Sequence, residues 1–125
     1  MRANTVRERR RLYLLARILV VRHYQRQLTI ALAARALSTS TRQLQRAYAQ
    51  FGKRSFHEDL VAQRMIVAGR LLAEQTIPVR EVAHRVGYCH GPHFSAAFRR
   101  HYGVAPSCFR ERTRDSAARR IAVRL

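Results

Sequence analysis

Residues 38–52 of this 125-residue chain read STSTRQLQRAYAQFG, and within them Arg42, Gln45 and Arg46 stand at i, i+3 and i+4. That spacing puts three side chains on one face of a helix, with Leu44 and Tyr48 on the other. Arginine can hold the O6/N7 edge of guanine with two hydrogen bonds, and glutamine can hold adenine in the same way. Each good pair is worth ~1–3 kcal/mol of discrimination. Taken by itself, the same row also suits the solvated side of an amphipathic helix.

A second group, Cys89, His90 and His93 with Cys108 farther along, has the donor atoms of a zinc site. Cys89 and His93 are four apart across a turn, however, and no paired CxxC is present. Phe94 and Phe109 lie close by in sequence, which reads the cysteines as small buried or half-buried residues. No metal and no cofactor is expected. A cysteine–histidine nucleophile lacks a third, orienting residue, and no glycine cluster has the phosphate-cradling GxxxxGK[ST] form. The residues offer no catalytic constellation, so an enzyme is not expected.

Composition then narrows the partners. Lys+Arg number 25 against 7 Asp+Glu, a formal charge of +18, and Lys53 is the only lysine. Hydrophobic residues make up 47% and charged residues 26%, close to globular averages, so the anomaly lies in the sign of the charge. A chain this short fits one compact domain or two very small subdomains, which excludes large multidomain enzymes. Such a surface suits a polyanion, either nucleic acid or an anionic membrane. The opening MRANTVRERRRLYLLARILVV has a basic-then-apolar layout, but Arg17 interrupts it and no small-residue cleavage site follows. No stretch approaches the ~18 apolar residues of a membrane span. A cytoplasmic, reduced setting and no membrane partner are expected.

The elements that must position these residues are helices, because apolar residues recur at helical spacing nearly throughout. The first is expected over about 10–24, burying Leu12, Leu15, Ile18 and Leu19. Thr29 caps a short second helix and Ser40 a third over about 41–51, with Leu44, Ala47 and Tyr48 inward and Gly52 at its end. A long fourth helix over about 55–74 buries Phe56, Leu60, Met65, Ala68, Leu71 and Leu72. Pro78 opens a fifth, Gly87 supplies a turn, and a sixth over about 92–102 turns Phe94, Ala97 and Phe98 inward. A short last helix starts at Pro106 and runs through Arg110, and the stretch beyond Arg112 is expected to fray. Short helix, tight turn, second helix, glycine: this order occurs over 29–52 and again over 78–103, which proposes two helix-turn-helix units in tandem. The joining helix would extend roughly 30 Å, close to one turn of B-DNA, so both second helices could enter successive major-groove segments. The expected organisation is a basic segment and helix one (1–27), first unit (28–54), linker helix (55–76), second unit with closing helix (77–112) and basic tail (113–125).

ARALSTSTRQLQRAYAQFG, SFHEDLVAQRMIVAGRLLAE and TIPVREVAHRVGYCHGPHFSAAFRRHYGVAPSCFR resemble, in order, the first unit, linker helix and second unit of the AraC-type transcription regulators. VGY, HFSAAFRRHYGV and AP-S-x-FR carry most of the specificity. The resemblance covers about Leu12 to Arg112 and implies an all-α, seven-helix DNA-binding domain. By position it implies base contacts from Arg42, Gln45 and Arg46 and, in the second unit, from Gly91, Pro92, Ser95 and Ala96. Thr29, Ser40, Thr41, Arg54, His93, Arg99 and Arg100 are assigned to phosphates. Ala96 stands where relatives often carry a long polar residue and Gly91-Pro92 has little reach, so the first unit is expected to supply most of the sequence readout. Ser38 replaces the usual glycine of the turn, Ala33 and Thr39 replace larger aliphatic residues, and His90 replaces the serine that caps the second recognition helix. The resemblance implies a regulator, more often an activator, that binds double-stranded DNA as a monomer, with RNA polymerase a further partner. The rival reading is a basic nucleoid or RNA-binding protein without sequence choice.

Overall fold

The structure is a computed structural model that describes residues 2–124. Among these residues the chain is all-α, with α1 Arg2–His23, α2 Ile30–Ala36, α3 Thr41–Phe51, α4 Phe56–Glu74, α5 Val79–Arg85, α6 Gly91–Tyr102 and α7 Pro106–Arg124. The chain divides into two compact units, Met1–Gln63 and Arg64–Leu125, with the boundary inside α4.

In the first unit α1 and α2 pack on α3. The buried row of α1 is Leu12, Ala16 and Val20, one helical turn apart. Ala16 and Val20 share one buried cluster with Leu44 and Tyr48 of α3, and α3 also buries Ala47. The expected inward stripe was therefore partly wrong. Ile18 is 48% exposed, as are Leu14 and Val21 to a similar degree, because α1 is apolar on two faces and only one meets α3. Tyr13 meets Tyr48 edge-on at 5.0 Å between ring centroids, and Tyr48 meets Phe56 at 5.7 Å.

Within this core Asp59 is buried. It is held by the Arg17 guanidinium on one oxygen and by the Tyr48 hydroxyl, which donates to the other at 2.8 Å. Burial, reinforced by that hydrogen bond, raises the Tyr48 phenol far above its ordinary range, and the bond to Asp59 raises the Arg17 guanidinium. A buried carboxylate is tolerated only when paired and hydrogen-bonded, so this node fixes α1, α3 and the start of α4 together.

The second unit is organised by aromatic rings. Phe94 and Phe98 are fully buried, and Phe98 meets Tyr102 at 4.5 Å and Phe109 at 5.3 Å. The Tyr102 hydroxyl donates to the Met65 carbonyl at 2.8 Å. A Cβ on Gly69 would lie 2.6 Å from that hydroxyl, so α4 carries glycine where the ring crosses it. Arg64, also buried, stacks over Tyr88 at 5.3 Å from the ring centroid, and Arg110 Nε donates to the Leu72 carbonyl at 3.1 Å.

Both chain ends are more helical than their apolar pattern implies. α1 starts at Arg2 rather than near Arg10, and α7 continues to Arg124 instead of stopping at Arg110 and fraying. Neither segment contains an interrupting glycine or a proline beyond the first position. Arginine and alanine have high helix propensity, so a packed turn can propagate outward without further burial.

Candidate nucleic-acid interface

The two turns that precede α3 and α6 close with the same hydrogen bonds. In the first, Ser38 N–H donates to the Arg35 carbonyl and Thr39 N–H to the Ala34 carbonyl; in the second, Gly87 N–H donates to His84 and Tyr88 N–H to Ala83. This pair of bonds is the Schellman motif, which needs a left-handed residue just past the helix. Gly87 takes φ 103° and Ser38 takes φ 54°. The repeat proposed by the sequence is thus a repeat of backbone geometry, down to a serine doing a glycine's work.

Each turn delivers a second helix with one buried and one open face. On α3, Leu44, Ala47 and Tyr48 face the core while Arg42, Gln45 and Arg46 are exposed, so the three polar residues share one accessible surface. No acidic residue occurs between Arg9 and His57 in the sequence, leaving that surface without a nearby carboxylate in its own turn unit. Ser40 Oγ accepts the Gln43 N–H at 3.1 Å and Thr29 Oγ1 the Leu32 N–H at 3.2 Å. Both therefore cap their helices, and each hydroxyl keeps its hydrogen to donate elsewhere. Thr41 is half-buried, whereas Arg54 is exposed in the segment between α3 and α4.

On α6, Gly91, Pro92, His93, Ser95 and Ala96 are exposed beside buried Phe94 and Phe98. Helical periodicity carries the outward line of Pro92 and Ala96 on to Arg99 and Arg100, both exposed. The outer face of α6 is thus small and uncharged at its start and basic one turn later. His90 precedes the helix in an extended conformation and makes no side-chain capping bond, as expected for histidine in place of serine. Its ring packs against that of His93 at 5.5 Å. Cys89 is exposed and Cys108 half-buried, neither in a disulfide, which corrects the expectation that both are buried or half-buried. Among the described residues no three His, Cys, Asp or Glu side chains gather as metal ligands, and no helix is long and apolar enough to cross a membrane.

Sequence reasoning missed the Arg17–Asp59–Tyr48 node and the Arg64–Tyr88 stack. The only signal for the first was an arginine inside an apolar stretch. Asp59, next to Glu58 in the first turn of α4, looks like an ordinary solvated carboxylate.

Comparison with known proteins agrees with this geometry. The helix-turn-helix domain family matches residues 33–112. The C-terminal domain of AraT, a response regulator from Geobacillus stearothermophilus, superposes with a TM-score of 0.78 at 34% identity, covering 80% of this chain and 84% of that one. The DNA-binding domain of AdpA, a global transcriptional factor solved in complex with a target DNA, superposes with a TM-score of 0.77 at 26% identity, covering 81% and 91%. The chain therefore belongs to the AraC-type helix-turn-helix family of transcription regulators. Among curated relatives, the HTH-type transcriptional regulator ArgR of Pseudomonas aeruginosa is 28% identical over 101 residues, which are 81% of this chain and only 31% of that regulator's length.

Proposed function

We propose that this protein is a sequence-specific, DNA-binding transcriptional regulator, acting as an activator, whose α3 and α6 enter successive major-groove segments of one duplex. The observation that carries the reading is the exposed Arg42, Gln45 and Arg46 row on a helix delivered by a Schellman turn, with the same turn repeated ahead of α6. Arg42 and Arg46 suit guanine and Gln45 suits adenine. The start of α6 offers only Ser95 as a side-chain hydrogen-bonding group among Gly91, Pro92, Ser95 and Ala96, so the second unit contributes mainly phosphate anchoring and the first supplies most of the base discrimination. Thr29, Ser40, Thr41, Arg54, His93, Arg99 and Arg100 hold phosphates. The AdpA domain's complex with a target DNA supports duplex DNA as the partner. Two unlike reading helices on one chain support occupancy by a monomer, and activation proceeds through contact with RNA polymerase.

Selection of sites from random duplex DNA followed by footprinting tests the reading. A defined motif with protection over two adjacent major-groove segments is expected. Equal binding of random and selected duplexes would favour a non-specific basic nucleic-acid-binding protein and overturn it. Arg46→Ala is expected to relax specificity at one half of the site by ~1–3 kcal/mol, whereas Arg99→Ala weakens all sequences about equally.

A further inference from the structure

The outer half of α7 belongs to neither core and to neither turn. From Arg114 to Arg124 every residue is exposed and the family match ends at residue 112, yet the helix runs unbroken to Arg124. Residues 112–124 carry five arginines against one acidic residue, Asp115. At 3.6 residues per turn, Arg112, Arg119, Arg120 and Arg124 fall within an arc of about 140°, Asp115 borders that arc beside Arg119, and Glu111, Arg114, Ala118 and Ala122 lie outside it. Four of the five arginines therefore share one side of the helix. None of the ion pairs among the described residues engages these arginines.

Such a helix is poorly suited to standing alone. Arg120 and Arg124 are a like-charge i, i+4 pair, which weakens a solvated helix that is sustained mainly by propensity. An apolar partner does not fit either. Ile121 and Val123, its exposed large apolar residues, lie on nearly opposite sides of the helix and form no stripe. What fits a one-sided row of arginines is a row of anions. The row spans about 18 Å of helix, and a DNA strand presents one phosphate per ~3.4 Å of duplex axis, so several phosphates fall within reach.

We propose that the outer half of α7 is an accessory backbone-binding element, with Arg112, Arg119, Arg120 and Arg124 contacting phosphates of duplex DNA outside the segments read by α3 and α6. This rests on the duplex-DNA reading above. The test compares wild type, R119Q/R120Q/R124Q and the opposite-face control Arg114→Gln on two sets of duplexes. One duplex ends at the borders of the selected site, and the others carry ten further base pairs at one end or the other.

Wild type is expected to bind one of the extended duplexes more tightly than the short one, with a steeper salt dependence. The triple variant loses that gain, its log Kd against log salt slope falling by about 0.9 for each phosphate contact removed. On the short duplex it matches wild type, and Arg114→Gln matches wild type on all. Unchanged thermal unfolding shows that the variants are folded. Equal losses on short and extended duplexes, no loss on either, an equal per-charge loss for Arg114→Gln, or a loss confined to phosphatidylglycerol vesicles overturns the proposal. Failure of wild type to prefer its selected site over random duplex would instead strike the underlying reading, and it is visible before any variant is made.

Discussion

Ser38 holds φ 54° in the first turn where the second has Gly87 at φ 103°. An L-residue in the left-handed region carries a Cβ clash worth roughly 1–2 kcal/mol that glycine lacks, partly offset by glycine's greater freedom when unfolded. Ser38→Gly is accordingly expected to stabilise the first unit by about 0.5–1 kcal/mol, read as a higher urea midpoint with an unchanged slope. An unchanged or lower midpoint would show that the strain has been absorbed elsewhere. At Asp59 the sign reverses. Tyr48→Phe removes the hydroxyl that donates to a buried carboxylate oxygen and is expected to cost about 1–3 kcal/mol, with the helical fold retained in circular dichroism. A tyrosine that tolerated the change freely would mean that solvent reaches Asp59.

Capping differs between the two recognition helices. Ser40 caps α3 through its side chain, whereas His90 leaves the start of α6 without such a bond. His90→Ser is expected to stabilise the second unit by about 1 kcal/mol, seen as a raised melting temperature; no gain would indicate that the His90–His93 ring contact is worth as much as a cap. At the start of α4, Ser55 and Glu58 bond reciprocally, Ser55 Oγ accepting the Glu58 N–H at 3.1 Å and Glu58 Oε1 the Ser55 N–H at 3.0 Å. Those bonds, the backbone one foremost, lower the Glu58 carboxyl below its ordinary range. A lowered carboxyl stabilises the folded state above its unfolded pKa and loses that contribution as pH falls through the folded one. Glu58→Ala should therefore be less stable than wild type at neutral pH, and the gap should close on acidification.

The positions of the helices were legible because glycine, proline and Ser/Thr punctuate them at Thr29, Ser40, Gly52, Pro78, Gly87, Gly103 and Pro106. The ends at Arg2 and Arg124 were not, since no apolar pattern marks them and the sequence offers only helix propensity there. Nor was the inward face of α1, where two apolar stripes compete and the choice belongs to α3. For the candidate interface, the Arg42, Gln45 and Arg46 row is visible as spacing, and the structure leaves all three exposed on a single face. The Asp59 node is not visible, because a carboxylate in a first turn gives no sign of being buried until its partners are folded around it.

At the scale of the molecule, +18 is carried almost evenly. Residues 1–63 hold thirteen basic and three acidic side chains, and residues 64–125 hold twelve and four. Neither unit is the acidic counterweight of the other, so both require counterions or phosphates. Binding is expected to fall steeply with salt, the slope of log K against log salt counting the phosphates neutralised at ~0.9 apiece. A shallow slope on the selected site would show that most of the arginines stay in solvent.

The unlike outer faces of α3 and α6 bear on more than affinity. A pair of identical reading heads related by two-fold symmetry sees the same word on both strands and is blind to direction. Under the proposed mode, this chain meets a word that differs when read backwards, so its bound state points along the chromosome. Inverting the selected site in front of a reporter promoter, with its centre held fixed, leaves affinity untouched and should change the transcriptional output. For this protein, orientation would be a property that the DNA site stores and a single small chain can read.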